Sequence, residues 1–105
     1  MNYQALLNSN IKKLRCNLDL TQEEFAEKIG ISVQGLSNIE RNRYQPMAET
    51  VDRICKVFNV YPCELLLEES DDNEVIISNI VVLLSQYKKY KLKKIYEILQ
   101  KLLKL

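Results

Sequence analysis

Gln34 and Asn38 stand four residues apart with Val33, Ser37 and Arg41 beside them, in a stretch whose pattern predicts a short helix. Counted from Val33, these five fall at i, i+1, i+4, i+5 and i+8, a spacing that gathers side chains on one helix face. Leu36 and Ile39 fall on the other side and point toward a core. The outer face then carries two carboxamides, a hydroxyl, a guanidinium and a small apolar group. A carboxamide holds a donor and an acceptor side by side, which matches the edge of adenine, and a valine can pack on the methyl of thymine. That chemistry is the reading of base edges in a DNA major groove. Catalytic chemistry has no comparable candidates: the chain has no histidine, no glycine-rich phosphate loop, and no acid pair or thiol set beside a base. No enzyme activity, metal site or cofactor is expected.

The elements that must position this face are legible around it. Thr21 and Glu24 have capping-box spacing, which starts a helix over about 21–29 with Phe25, Ala26 and Ile29 inward. Gly30 can take the positive φ that ends it, and Ser32 is an N-cap for the next helix, about 32–41. Gly35 lies inside that second helix, where it lowers helix propensity.

These residues, from Thr21 to Arg41, resemble the lambda-repressor-like (Cro or XRE-type) helix-turn-helix regulators. The resemblance covers residues 8–67. It also takes in Arg15 ahead of Leu20-Thr21-Gln22, Ile39-Glu40-Arg41 closing the second helix, Pro46, and the run Val57-Phe58-Asn59-Val60-Tyr61-Pro62-Cys63-Glu64-Leu65-Leu66. It implies an all-α, five-helix DNA-binding domain and a sequence-specific transcriptional regulator, most simply a repressor. Its base-reading positions fall on Val33, Gln34 and Asn38, with Ser37 on the same face. Thr21, Gln22, Arg41, Arg43, Tyr44 and Gln45 would meet the DNA backbone, contacts that fix register without reading sequence. Arg15 and Glu40 match a structural ion pair that sets how the first helix leans on the recognition helix.

The rest of the domain follows from periodicity. Leu7, Ile11, Leu14 and Leu18 form an inward stripe on a first helix. Asn42 stands where the resembled family has glycine, and asparagine tolerates left-handed backbone. Val51, Ile54, Cys55 and Phe58 line a fourth helix whose expected cap position is Met47, and Pro62 suits the first turn of a short fifth. The three cysteines are odd in number and not closely spaced. They read as small buried hydrophobes in a reducing cytosol.

Charge divides the chain more sharply than the net +1 suggests. Residues 1–67 are balanced, residues 68–74 form an acidic linker, and residues 75–105 set seven lysines against Glu97 alone. That last segment predicts a two-helix hairpin, with Ile76, Ile80, Leu83, Leu84 and Tyr87 on one helix and Leu92, Ile95, Leu99, Leu102 and Leu103 on the other. Faces this broad exceed what two short helices can bury against each other, so a second copy is the simplest cover. A homodimer through residues 75–105 is therefore expected. The lysine and tyrosine content also suits a membrane surface, but the adjoining acids would repel anionic lipid. No segment is long enough to span a membrane. Met1-Asn2-Tyr3-Gln4 is not the start of a secretory leader, so a cytoplasmic protein is expected. The partner is then a double-stranded DNA operator. The alternative is a protein-interaction module, antitoxin-like or antirepressor-like, whose tail holds a different chain.

Overall fold

Short polar residues start most of the helices. In the computed structural model, which describes residues 2–104, the Asn2 side chain accepts from the Ala5 amide at 3.1 Å and opens α1 (Tyr3–Asn17). Met1, Leu105 and the side chain of Lys89 lie outside the described residues. Thr21 opens α2 (Gln22–Ile29) and Ser32 opens α3 (Val33–Glu40), each through its hydroxyl. Met47 precedes α4 (Ala48–Phe58) without a side-chain cap. Pro62–Leu66, where a short fifth helix was expected, is a turn of 3-10 helix. It is tied down by the Tyr61 amide donating to the Glu64 side-chain carboxylate at 2.9 Å. The last two helices are α5 (Asn73–Leu84), capped by Asp72, and α6 (Lys89–Leu103). All the regular structure among the described residues is helical.

The chain divides into two units, residues 1–68 and 69–105. In the first, Ile11, Phe25, Ala26, Ile29, Leu36, Ile39, Ile54 and Leu65 form the buried core, with Leu7, Leu14, Leu20, Ile31, Val51, Cys55 and Phe58 packed around it. Phe25 of α2 and Phe58 of α4 stack with ring centroids 4.8 Å apart, a contact that adds to their area burial. Asn59 ends α4 in left-handed backbone, φ 54°.

Two expectations in this unit are corrected. Leu18 does not continue the inward stripe: it is the C-cap of α1 and is exposed. Asp19 takes φ 56°, turning the chain so that Leu20 packs on the core instead. Cys16 is exposed rather than buried, whereas Cys55 and Cys63 are half-buried. Burial pushes the Cys55 thiol pKa up, which keeps it a neutral packing group.

The second unit differs from its expected limits. α5 begins at Asn73, inside the stretch read as linker, because Asp72 accepts from the Glu74 amide at 2.8 Å. The α5–α6 connection is residues 85–88, so Tyr87 lies between the helices and not on α5, with the Lys91 ammonium 5.7 Å from its ring centre. Leu83, Leu84, Leu92 and Ile95 are half-buried, whereas Ile76, Ile80, Leu99, Leu102 and Leu103 are exposed. None of the described side chains of α5 or α6 is fully buried.

Candidate nucleic-acid interface

Four residues set the start of α2 and its turn into α3. Thr21 and Glu24 close a reciprocal capping box, with the Thr21 amide donating to the Glu24 carboxylate at 2.9 Å and the Glu24 amide to the Thr21 hydroxyl at 3.1 Å. The Thr21 amide, and after it the Thr21 hydroxyl, hold the Glu24 carboxyl below its ordinary pKa. Gly30, at φ 73°, ends α2 and lets the chain reverse within two residues. The Ser32 hydroxyl then accepts from the Gly35 amide at 2.9 Å and starts α3.

Burial of Leu36 and Ile39 fixes the rotation of α3 about its axis. Val33 and Gln34 are exposed, Ser37 and Asn38 half-buried, and Arg41, the C-cap, exposed. None of these five side chains is buried. The two carboxamides are joined, Gln34 Nε2 donating to Asn38 Oδ1 at 3.2 Å.

The α1–α2–α3 arrangement hangs on Glu40, whose side chain is only 3% exposed. Arg15 donates to it twice, Nε to Oε2 at 2.7 Å and Nη2 to Oε1 at 2.9 Å. Gln22 Nε2 adds a third bond at 3.1 Å, so the side chain at the start of α2 braces α3 directly. Arg15 Nη1 also donates to the Leu20 carbonyl at 2.9 Å. The bond to Glu40 is the largest cause of a raised Arg15 pKa.

Past α3, Asn42 adopts φ 59° and turns the chain back. Arg43, Tyr44 and Gln45 are exposed on this loop, and neither Arg41 nor Arg43 makes an ion pair among the described residues. Two cations left to solvent beside a polar helix face suit phosphate contact.

Three supporting residues were not foreseen. Asn8 is fully buried on α1, and its Nδ2 donates to Asn42 Oδ1 at 3.0 Å and to the Tyr44 carbonyl at 3.1 Å. Asn10 Nδ2 holds the carbonyls of Leu65 and Leu67 at 2.7 and 2.9 Å. Arg53 Nη1 reaches from α4 to the Ile29 and Gly30 carbonyls at 3.2 and 3.4 Å, satisfying the end of α2. The signal for Asn8 was its place: a carboxamide one residue after Leu7, three before Ile11, on an otherwise apolar stripe.

Such a face, carried on the second helix of a capped helix-turn-helix, defines a DNA-binding regulator. The chain belongs to the helix-turn-helix family, whose model matches residues 11–65. Among relatives, it is 40% identical over 70 residues to the antitoxin PezA of Streptococcus pneumoniae, a match spanning 67% of this chain and 44% of that one. It is 34% identical over 68 residues to the cryptic phage CTXphi transcriptional repressor RstR of Vibrio cholerae, spanning 65% of this chain and 60% of that one. Both matches span less than two thirds of the relative's own length. A crystal structure of a transcriptional regulator from Listeria innocua shares the fold with TM-score 0.54 at 16% identity, over 90% of each chain. No described helix is long and apolar enough to cross a membrane.

Proposed function

We propose that the protein is a transcriptional repressor that binds an operator as a homodimer, with α3 in the major groove. The observation that carries this is the α3 face itself: Val33, Gln34, Ser37 and Asn38 side by side on a helix whose rotation is fixed by Leu36 and Ile39. Gln34 and Asn38 read adenine, Val33 packs on a thymine methyl, and Ser37 lies at the edge of the read bases. Thr21, Gln22, Arg41, Arg43 and Gln45 surround this face and meet phosphates, fixing register. The exposed Ile76, Ile80, Leu99 and Leu102 of the second unit supply the dimer surface, because apolar area of this extent left in water opposes solubility and favours association. The test is selection of sites from a random duplex library, followed by anisotropy titration of the selected site. Two half-sites with centres about 34–36 Å apart are expected, and absence of any enriched sequence refutes the reading.

Likeness to an antitoxin favours a second reading, in which the exposed tail holds a different protein while the first unit binds DNA. Sedimentation of the pure chain separates the two: a monomer at tens of micromolar is the result expected from a tail built for another partner.

A further inference from the structure

Tyr44 follows the recognition helix in sequence yet turns back onto it. Its hydroxyl lies 3.4 Å from Asn38 Nδ2 and 3.5 Å from the Gly35 carbonyl. Its main chain is held from α1, where the fully buried Asn8 donates to the Tyr44 carbonyl at 3.1 Å. Asn8 and Gln4 both also donate to Asn42 Oδ1, at 3.0 and 3.1 Å, fixing the left-handed residue from which this loop departs. Pro46, two residues on, is buried. A loop that is exposed in sequence position is thus anchored at three points, and the residue it presents faces α3. The glycine matters here: a Cβ at position 35 would stand 3.0 Å from the Ser32 hydroxyl and 3.7 Å from the Tyr44 hydroxyl.

The hydrogen bonds around Tyr44 run in one direction. A carbonyl can only accept, so the Tyr44 O–H donates to Gly35 and offers its lone pairs to Asn38. Asn38 must then turn its NH2 toward Tyr44 and its Oδ1 toward Gln34, which donates to it at 3.2 Å. Gln34 is left with its Oε1 and its second N–H for a base. An amide side chain can otherwise sit either way round, and only one order of donor and acceptor matches the N6–H and N7 of adenine.

We propose that Tyr44 is a specificity-determining positioning residue, which orients the Asn38 and Gln34 carboxamides for adenine instead of gripping phosphate. This rests on the DNA-reading function proposed above. It assigns an A·T pair to the base step that Gln34 faces, and it makes the buried Asn8 a support for specificity rather than for packing alone.

The test is Tyr44→Phe, which keeps the ring and removes only the hydroxyl. Parent, Tyr44→Phe, Asn38→Ala and the double variant are titrated against the selected site, against the same site with G·C at the A·T step, and against a scrambled duplex, each with a thermal melt. Tyr44→Phe is expected to lose roughly tenfold in the ratio between the first two duplexes, with scrambled-duplex affinity and salt slope unchanged. In the Asn38→Ala background the same change should add nothing. Equal weakening on all three duplexes makes Tyr44 a phosphate contact, whose neutral hydroxyl leaves the salt slope unchanged, and overturns the proposal. An unchanged ratio, or full additivity with Asn38→Ala, overturns it as well while leaving the DNA-reading function intact. A parent that does not distinguish the selected from the scrambled duplex removes both.

Discussion

Arg15 and Glu40 meet through two parallel hydrogen bonds of 2.7 and 2.9 Å, although 25 residues separate them in the chain. A fork-to-fork pair fixes orientation as well as distance, because both planar groups must be coplanar to satisfy it. Gln22 shares the same carboxylate. One side chain at the end of α3 therefore registers three helices, and the recognition face is aimed by a contact on its far side.

Removing one partner of this pair strands the other. Glu40→Ala is expected to destabilise the first unit by about 3 kcal/mol, since the Arg15 guanidinium would keep its burial and lose its counter-charge. For a domain of this size that is a fall in melting temperature of roughly 12–24 °C. A calorimetric melt measures it, and a variant melting within a degree or two of the parent would falsify the architectural role.

Acid should weaken the start of α2. The Glu24 carboxyl is held below its ordinary pKa, first by the Thr21 amide and then by the Thr21 hydroxyl. A carboxyl whose folded pKa is depressed contributes stability above its unfolded pKa, and loses that contribution as pH falls through the folded value. Glu24→Gln should accordingly lower stability at neutral pH and flatten the acid limb of a melting-temperature profile. A parallel profile for parent and variant, offset by nothing, counts against it.

The second unit should decide the oligomeric state. Ile80 and Leu99 are exposed, 47% and 41%, and a charge on either would be repelled from an apolar interface but tolerated by water. Sedimentation of Ile80→Lys and Leu99→Glu chains is expected to give monomers where the parent gives dimers, with helical content retained. If parent and variants sediment alike, these helices do not join two copies.

Most of the first unit was legible because its signals are local. Thr21, Glu24, Gly30 and Ser32 announce α2, its end and the start of α3 through groups within three residues of each other. Leu36 and Ile39 then set the exposed face. What could not be read depends on residues distant in sequence. Asn8 and Asn10 bond carbonyls 36 and 55 residues away, and although the apolar stripe marks Asn8 as unusual, neither acceptor can be named until the fold is in place. Arg53 pairs with Glu49 four residues away on its own helix, and only the fold shows it also capping α2. Leu18 misled because an apolar stripe predicts the inward direction only while the helix lasts, and Asp19 turns the chain one residue later.

Within the interface, reading and gripping should separate. Gln34→Ala and Asn38→Ala remove donor–acceptor pairs from the exposed face of α3 and should each cost on the order of 1–3 kcal/mol on the selected site, relaxing preference at one or two positions. Arg43, exposed and unpaired among the described residues, faces solvent as a bare cation. Arg43→Ala should weaken every sequence alike and reduce the slope of log affinity against log salt by about one, since one fewer phosphate is neutralised and about one fewer counterion is released. Repeating the site selection and a salt titration on each variant measures both quantities. Unchanged base preference in the Gln34 and Asn38 variants would move the reading elsewhere on the domain. A sequence-dependent loss in Arg43→Ala would move that arginine from the phosphates to the bases.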